Sequence, residues 1–232
     1  MIKTVLIDID NTLLDFDAGT KLAIKTLFPE YGIPYSEGVL KTFASENAKL
    51  WDKIERGELT KDELRRIRWN TIFRVLGVEC DGEKFEKDYE DIVANTAVPI
   101  DGSEELLKYL KQNFSVYAVT NGFVKLQKKR LALCSFDKYF DGLFISEEIG
   151  ANKPSKEFFD AVFKALSFPE KESVILIGDS LSADISGGNA YGIKTVLFEN
   201  KPAGKNAEII PTFTVRSLRE IEKLLDGLAV SC

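Results

Sequence analysis

Val5-Leu6-Ile7-Asp8-Ile9-Asp10-Asn11-Thr12 runs from a continuous apolar stretch into two carboxylates two residues apart, followed by a hydroxyl. An apolar run without polar alternation reads as a strand at the centre of a parallel sheet, buried on both faces. In open α/β sheets ligands bind in the crevice beyond the carboxyl ends of the strands, which is where Asp8 to Thr12 fall. Asp and Asn are also common turn and capping residues at strand exits, so this segment alone leaves a structural and a chemical reading open.

Downstream, the pattern changes twice. From roughly Ala18 to Thr96 it is helical with no convincing strand. Val39, Phe43, Ala44, Leu50, Trp51 and Ile54 recur at helical spacing, Arg56-Gly57-Glu58 reads as a turn, and Thr60 to Glu63 fits a capping box before a helix that Gly77 closes. From Val98 strands and helices alternate. The strands are expected at Val116–Val119, Leu143–Ile145, Val174–Ile177 and Thr195–Phe198, and the helices at Ser103–Gln112, Lys125–Leu133, Ser155–Leu166 and Ala183–Tyr191, with Pro154 as a first helical residue. Alternation of this kind means βαβ units, so the expected class is α/β: a doubly wound, Rossmann-type parallel sheet of about five strands with an inserted helical domain. The expected boundaries are 1–14 with 97–232 for the core and 15–96 for the insertion.

Composition narrows the chemistry. A net charge of −6 argues against a polymeric nucleic acid as partner, which demands clustered Lys and Arg, but leaves small phosphorylated molecules open. The chain contains no His, which removes Ser-His and Cys-His mechanisms and leaves acid/base work to carboxylates, Lys, Tyr or Cys. Cys80, Cys134 and Cys232 form neither a paired framework nor a zinc pattern and are expected as reduced structural thiols. With no secretory pattern and no apolar stretch near membrane-spanning length, a soluble cytoplasmic protein without membrane partners is expected; nothing speaks to oligomeric state.

Three expected strands end in polar signatures: Asp8 to Thr12, Thr120-Asn121-Gly122, and Gly178-Asp179 followed by Asp184. Parallel strands bring these ends to one rim, and Gly150 to Pro154 adds a cation there, Lys153. Converging carboxylates repel unless a cation sits between them, and an all-oxygen set favours Mg²⁺, with Mn²⁺ an alternative. Thr120 can donate to a phosphoryl oxygen, Asn121 can offer its backbone N–H, and Lys153 can neutralise nucleophile and phosphate. These are the parts of a phosphoryl-transfer site.

The ordered set of Asp8-x-Asp10-x-Thr12, Thr120, Lys153 and Asp179/Asp184 resembles the four motifs of the haloacid-dehalogenase-like (HAD) hydrolase superfamily over the whole chain, including a helical cap between the first and second motifs. The resemblance implies that Asp8 attacks phosphorus to form an aspartyl-phosphate. Asp10 would protonate the leaving alcohol and then deprotonate water. Asp8, the backbone carbonyl of Asp10 and Asp179 would hold Mg²⁺, with Asp184 behind them, while Thr120, Asn121 and Lys153 bind the phosphoryl group. Dehalogenase members usually lack a carboxylate two positions after the nucleophile, so Asp10 favours phosphoester hydrolysis.

Leu50 to Thr60, Thr120 to Phe123 with Leu126-Gln127 and Arg130-Leu131, and Ile145 to Gly150 resemble bacterial pyrimidine 5′-nucleotidases of that superfamily. This implies a nucleoside monophosphate as partner, with a phosphosugar or other small phosphate ester as the alternative. Taken singly, Phe43 and Trp51 are expected in a helical core and Glu147 and Glu148 in a solvated loop or as a cap of the following turn. Gln127 and Arg130 are expected on a surface helix, and Phe123 facing the cleft. A receiver domain uses similar groups but in another order and without the insertion; a non-catalytic phosphate-binding relative would lack the need for the full set.

Overall fold

The computed structural model of the chain describes residues 1–200 and 208–230; Cys232 lies outside them. The chain divides into two compact units, Met1–Asp15 with Val98–Cys232, and Phe16–Ala97.

The first unit is built on a six-stranded parallel sheet of β1 (Thr4–Ile7), β2 (Ser115–Thr120), β3 (Gly142–Ile145), β4 (Val174–Gly178), β5 (Lys194–Phe198) and β6 (Phe213–Val215), in the order β3-β2-β1-β4-β5-β6. β1 pairs with β2 on one side (Val5 opposite Val116) and β4 on the other (Val5 opposite Ile175). The chain therefore winds one way from β1 to reach β2 and β3, and the other way to reach β4, β5 and β6. The crevice of a doubly wound sheet opens at this reversal, directly beyond Ile7.

Every residue of β1 and β4 is buried, as their unbroken apolar runs require. Val5, Ile7, Val116, Ala118, Ile175 and Ile177 share one core with Leu106, Leu107 and Leu110, and with Leu218, Ile221 and Leu225 near the carboxyl terminus. Leu6, Val119, Val174 and Leu176 face a second core with Phe158, Phe159, Val162 and Phe163. Alternating side chains along each strand thus feed two helical layers.

The second unit is helical: α1 (Phe16–Glu30), α2 (Glu37–Glu55), α3 (Lys61–Leu76) and α4 (Gly82–Ala94). Thr60 and Glu63 form the reciprocal capping box at the start of α3, and Gly77 ends it in the left-handed conformation. Its core is aromatic. Trp69 lies 4.4 Å from Phe85 and 5.4 Å from Phe43 and Phe73, centroid to centroid. Phe43 is buried there, while Trp51 is half-buried. Within it Arg68 and Glu86 form a buried ion pair, with the guanidinium 4.9 Å from the Tyr89 ring.

Further helices of the first unit are α5 (Ser103–Asn113), α6 (Val124–Leu133), α7 (Ser146–Ile149), α8 (Lys156–Ala165), α9 (Ser186–Tyr191) and α10 (Leu218–Val230). Three details depart from the sequence expectation. Ser155, not Pro154, sets the start of α8, because its hydroxyl accepts from Phe158 N and makes it the N-cap. The helix expected over 183–191 begins as a wide π-helical turn, Leu181–Ile185. β6 and α10 extend the core past the five expected strands; a three-residue strand with Thr214 at its centre carries too little apolar pattern to be read locally. No helix among the described residues is long and apolar enough to cross a membrane. Cys80 and Cys134 are free thiols.

Candidate active site

The backbone leaves β1 with Asp8 N donating to Ile177 O at 2.9 Å, which prolongs the pairing with β4 by one residue and delivers the Asp8 side chain to the switch point. The chain then turns tightly: Asn11 has φ 57° and its N–H reaches Leu14 O at 2.7 Å. Asn tolerates that left-handed conformation better than most residues. Thr12 is buried in this turn, and its hydroxyl finds no partner among the described residues.

Asp8, Thr120, Asn121, Lys153, Asp179 and Asp184 converge around this turn. Lys153 Nζ donates to Asp8 Oδ1 at 2.8 Å, Asp184 Oδ1 at 2.6 Å and Val119 O at 2.8 Å, which uses all three ammonium protons. Its backbone is held just as firmly. Asn121 Nδ2 donates to Lys153 O at 2.9 Å and Lys153 N donates to Asn121 Oδ1 at 2.8 Å. The Asn121 side chain therefore ties two loops together.

Asp184 is positioned by the π-helical turn. Ser180 Oγ accepts from Ala183 N at 3.1 Å while Ser180 N donates to Asp184 Oδ2 at 3.1 Å, a reciprocal lock on the first residues of the turn. Gly178 is required beneath it: a Cβ there would lie 2.2 Å from Asp184 Oδ2.

Carboxylate oxygens of Asp8, Asp179 and Asp184 all lie within 4.8 Å of one another. Burial pushes the Asp8 carboxyl up to about 7; Lys153 opposes this, and Asp184 and Asp10 add to it. Asp179 is raised well above the ordinary carboxylate range, by burial first and by Asp8 and Asp184 next. Lys153 is raised as well, since the attraction of Asp184 and Asp8 outweighs the burial of its ammonium. One ammonium thus faces three carboxylates, and the surplus negative charge suits a divalent cation with oxygen ligands. Both Asp184 oxygens are already engaged, which leaves Asp8 and Asp179 the better placed to ligate.

Asp10 is held differently from Asp8. Gln127 Nε2 donates to its Oδ2 at 2.6 Å, and Arg130 forms an ion pair with its Oδ1. α6 is a surface helix, as the sequence suggested, but Gln127 and Arg130 lie on its inward side and are completely buried. The buried face of α6 comprises Leu126, Gln127, Arg130 and Leu131, so two polar residues continue an apolar stripe at i, i+3 and i+4 spacing. That register was the available signal. Glu147 caps α6 rather than its own turn, accepting from Val124 N at 2.6 Å, and Glu148 pairs with Lys128 at 2.6 Å. Phe123, expected to face the cleft, is buried at the head of α6.

Residues 2–192 match the family of haloacid dehalogenase-like hydrolases. The chain is 36% identical to the HAD-hydrolase YfnB of Bacillus subtilis over 99% of this chain and 98% of that one. It is 33% identical to the pyrimidine 5′-nucleotidase PynA of Streptococcus pneumoniae (97% and 95% covered) and 32% identical to the pyrimidine 5′-nucleotidase YjjG of Escherichia coli (95% and 96%). A magnesium-bound crystal structure of YfnB superposes with a TM-score of 0.92 at 35% identity, covering 97% of this chain and 99% of that one. The fold alone is shared with the L-2-haloacid dehalogenase of Xanthobacter autotrophicus, at a TM-score of 0.80 and 16% identity over 98% and 99%. With a doubly wound parallel core, an acidic rim at its switch point and these relatives over nearly its full length, the chain belongs to the haloacid dehalogenase-like hydrolases.

Proposed function

We propose that this hydrolase cleaves phosphate monoesters by two displacements on Asp8, with Mg²⁺ in the acidic rim, and that its preferred substrates are pyrimidine nucleoside 5′-monophosphates. The observation that carries the chemistry is the state of Asp8: one oxygen is fixed by Lys153 and the other carries no hydrogen bond among the described residues. That second oxygen keeps its lone pairs for phosphorus or a cation.

Asp8, Asp179 and the Asp10 carbonyl would hold the ion, with Asp184 steadying Lys153 behind them. Mg²⁺ bound there would offset the charge of the carboxylates and of the phosphoryl oxygens. In the first displacement Asp8 forms a bond to phosphorus as the ester P–O bond breaks, and Asp10 gives a proton to the departing alcohol. In the second, water attacks the aspartyl-phosphate, Asp10 takes its proton, and inorganic phosphate leaves with Asp8 restored. Thr120 and the Asn121 backbone N–H donate to the phosphoryl oxygens, and Lys153 supplies positive charge. Splitting the reaction suits a chain without histidine.

Identity to PynA and YjjG over nearly the whole chain supports the nucleotide reading. Steady-state kinetics of the Mg²⁺-loaded protein across nucleoside monophosphates, sugar phosphates and small phosphoacids tests it. UMP, dUMP or dTMP should lead in kcat/KM by at least about tenfold, the discrimination that roughly 1.4 kcal/mol of differential transition-state binding provides. A lead for sugar phosphates overturns the substrate and keeps the chemistry; no turnover of any ester overturns both.

A further inference from the structure

Gln127 and Arg130 grip Asp10 by its two oxygens, and the same Gln127 nitrogen that donates to Asp10 Oδ2 also donates to Thr120 Oγ1 at 3.0 Å. The amide orientation is dictated by chemistry, since a carboxylate only accepts and a guanidinium only donates. Nε2 must face Asp10, and Oε1 must face Arg130, 3.5 Å away. Burying a guanidinium and an amide completely is costly unless both are paired, and here their partners are two residues of the proposed site.

Thr120 shows the consequence. Its hydroxyl accepts from Gly122 N and from Gln127 Nε2, each at 3.0 Å, so both lone pairs are taken and its O–H is what it has to offer a ligand. Gly122 belongs to the same device. A Cβ there would lie 2.2 Å from Gln127 Nε2 and 2.8 Å from its Cδ and Cγ, so the loop must carry glycine for the amide to reach across.

We propose that Gln127 and Arg130 are positioning residues for proton transfer: they fix the Asp10 carboxylate toward the leaving oxygen, and Gln127 also turns the Thr120 hydroxyl toward the phosphoryl group. This rests on the reading of Asp10 as the acid/base. They act through Asp10 and Thr120 and do not themselves exchange a proton with substrate.

The test compares kcat/KM, which reports the steps through departure of the alcohol, for an alkyl ester such as UMP and for p-nitrophenyl phosphate, whose leaving group departs with little protonation. Arg130→Met should lose about 100-fold on the alkyl ester, the cost of a misplaced general acid, and less than about fivefold on the aryl ester. Gln127→Met should show the same gap together with a higher KM for both esters, because Thr120 loses a partner. Gly122→Ala, which displaces Gln127 without deleting a hydrogen-bonding group, should follow it, and Arg130→Lys should recover about tenfold over Arg130→Met, as a retained cation at a misfitted geometry would. Gly122→Ala and Arg130→Lys preserve the comparison where a methionine variant fails to fold. Equal losses on both esters, with Arg130→Lys no better than Arg130→Met, would make these ordinary core residues and overturn the proposal. Asp10→Asn separates the two levels. A leaving-group gap in Asp10→Asn but in neither partner's variants overturns the positioning role alone, whereas no gap in Asp10→Asn overturns the acid/base reading on which it rests.

Discussion

Asp8 and Asp10 stand two residues apart on one turn, yet their surroundings divide them. Asp8 is buried beside Lys153 with Asp179 and Asp184 close by, and its carboxyl is pushed up to about 7. Asp10 is partly exposed and held by an amide and a guanidinium. The nucleophile's role predicts that Asp8→Asn retains its fold and less than about 1% of activity, because an amide cannot form the acyl-phosphate bond. Turnover with deamidation excluded by mass spectrometry, and circular dichroism for the fold, check it. Removing one of three crowded negative charges should also leave the cation-free variant at least as heat-stable as wild type near pH 7.5.

Among elements, the helix pair α3 and α4 presents the clearest energetic experiment. Arg68 and Glu86 are buried together, with the guanidinium against the Tyr89 ring, and burial raises the Glu86 carboxyl despite the facing guanidinium. Such a pair gains little over an apolar replacement, whereas an orphaned partner is costly. Arg68→Met or Glu86→Leu alone should lose about 3–5 kcal/mol, and the double replacement much less than their sum, read by chemical denaturation. In the other unit, strand β4 shows how an element end depends on a single missing side chain: Gly178 leaves room for Asp184 to reach Lys153.

For the whole molecule, the raised carboxyls set an unusual pH dependence. Between about pH 4 and pH 7, cation-free native protein keeps a proton on Asp8 that the unfolded chain, at the ordinary aspartate value of 3.8, has released. Native protein then binds more protons than unfolded, so stability falls as pH rises through this window, by up to about 1.4 kcal/mol per pH unit per group. Asp179 is shifted in the same direction. Lys153 stays charged throughout, its stabilisation being lost only at high pH. Thermal unfolding in chelator should therefore show a melting temperature that declines across this range. Saturating Mg²⁺ should remove the decline and raise stability at pH 7 by about 2.7 kcal/mol at a hundredfold excess over Kd. An unchanged melting temperature with Mg²⁺ would count against the acidic rim as its site.

The alternation of apolar runs and helical stripes was enough to read the α/β class and the acids at the end of β1, because buried strands and ligand-bearing strand ends carry their signals locally. The convergence of Asp8, Thr120, Lys153 and Asp179 was legible as an expectation, since parallel strands bring their carboxyl ends to one rim. Only the tertiary structure decided which acids Lys153 holds, that the Asn121 side chain ties two loops together, and that Gln127 and Arg130 turn inward to Asp10. Each of these depends on contacts between residues 31 to 145 positions apart. A polar residue on a helix carries the same letter whether its partner is water or a carboxylate on a distant strand; the packing of α6 against the sheet is what chooses.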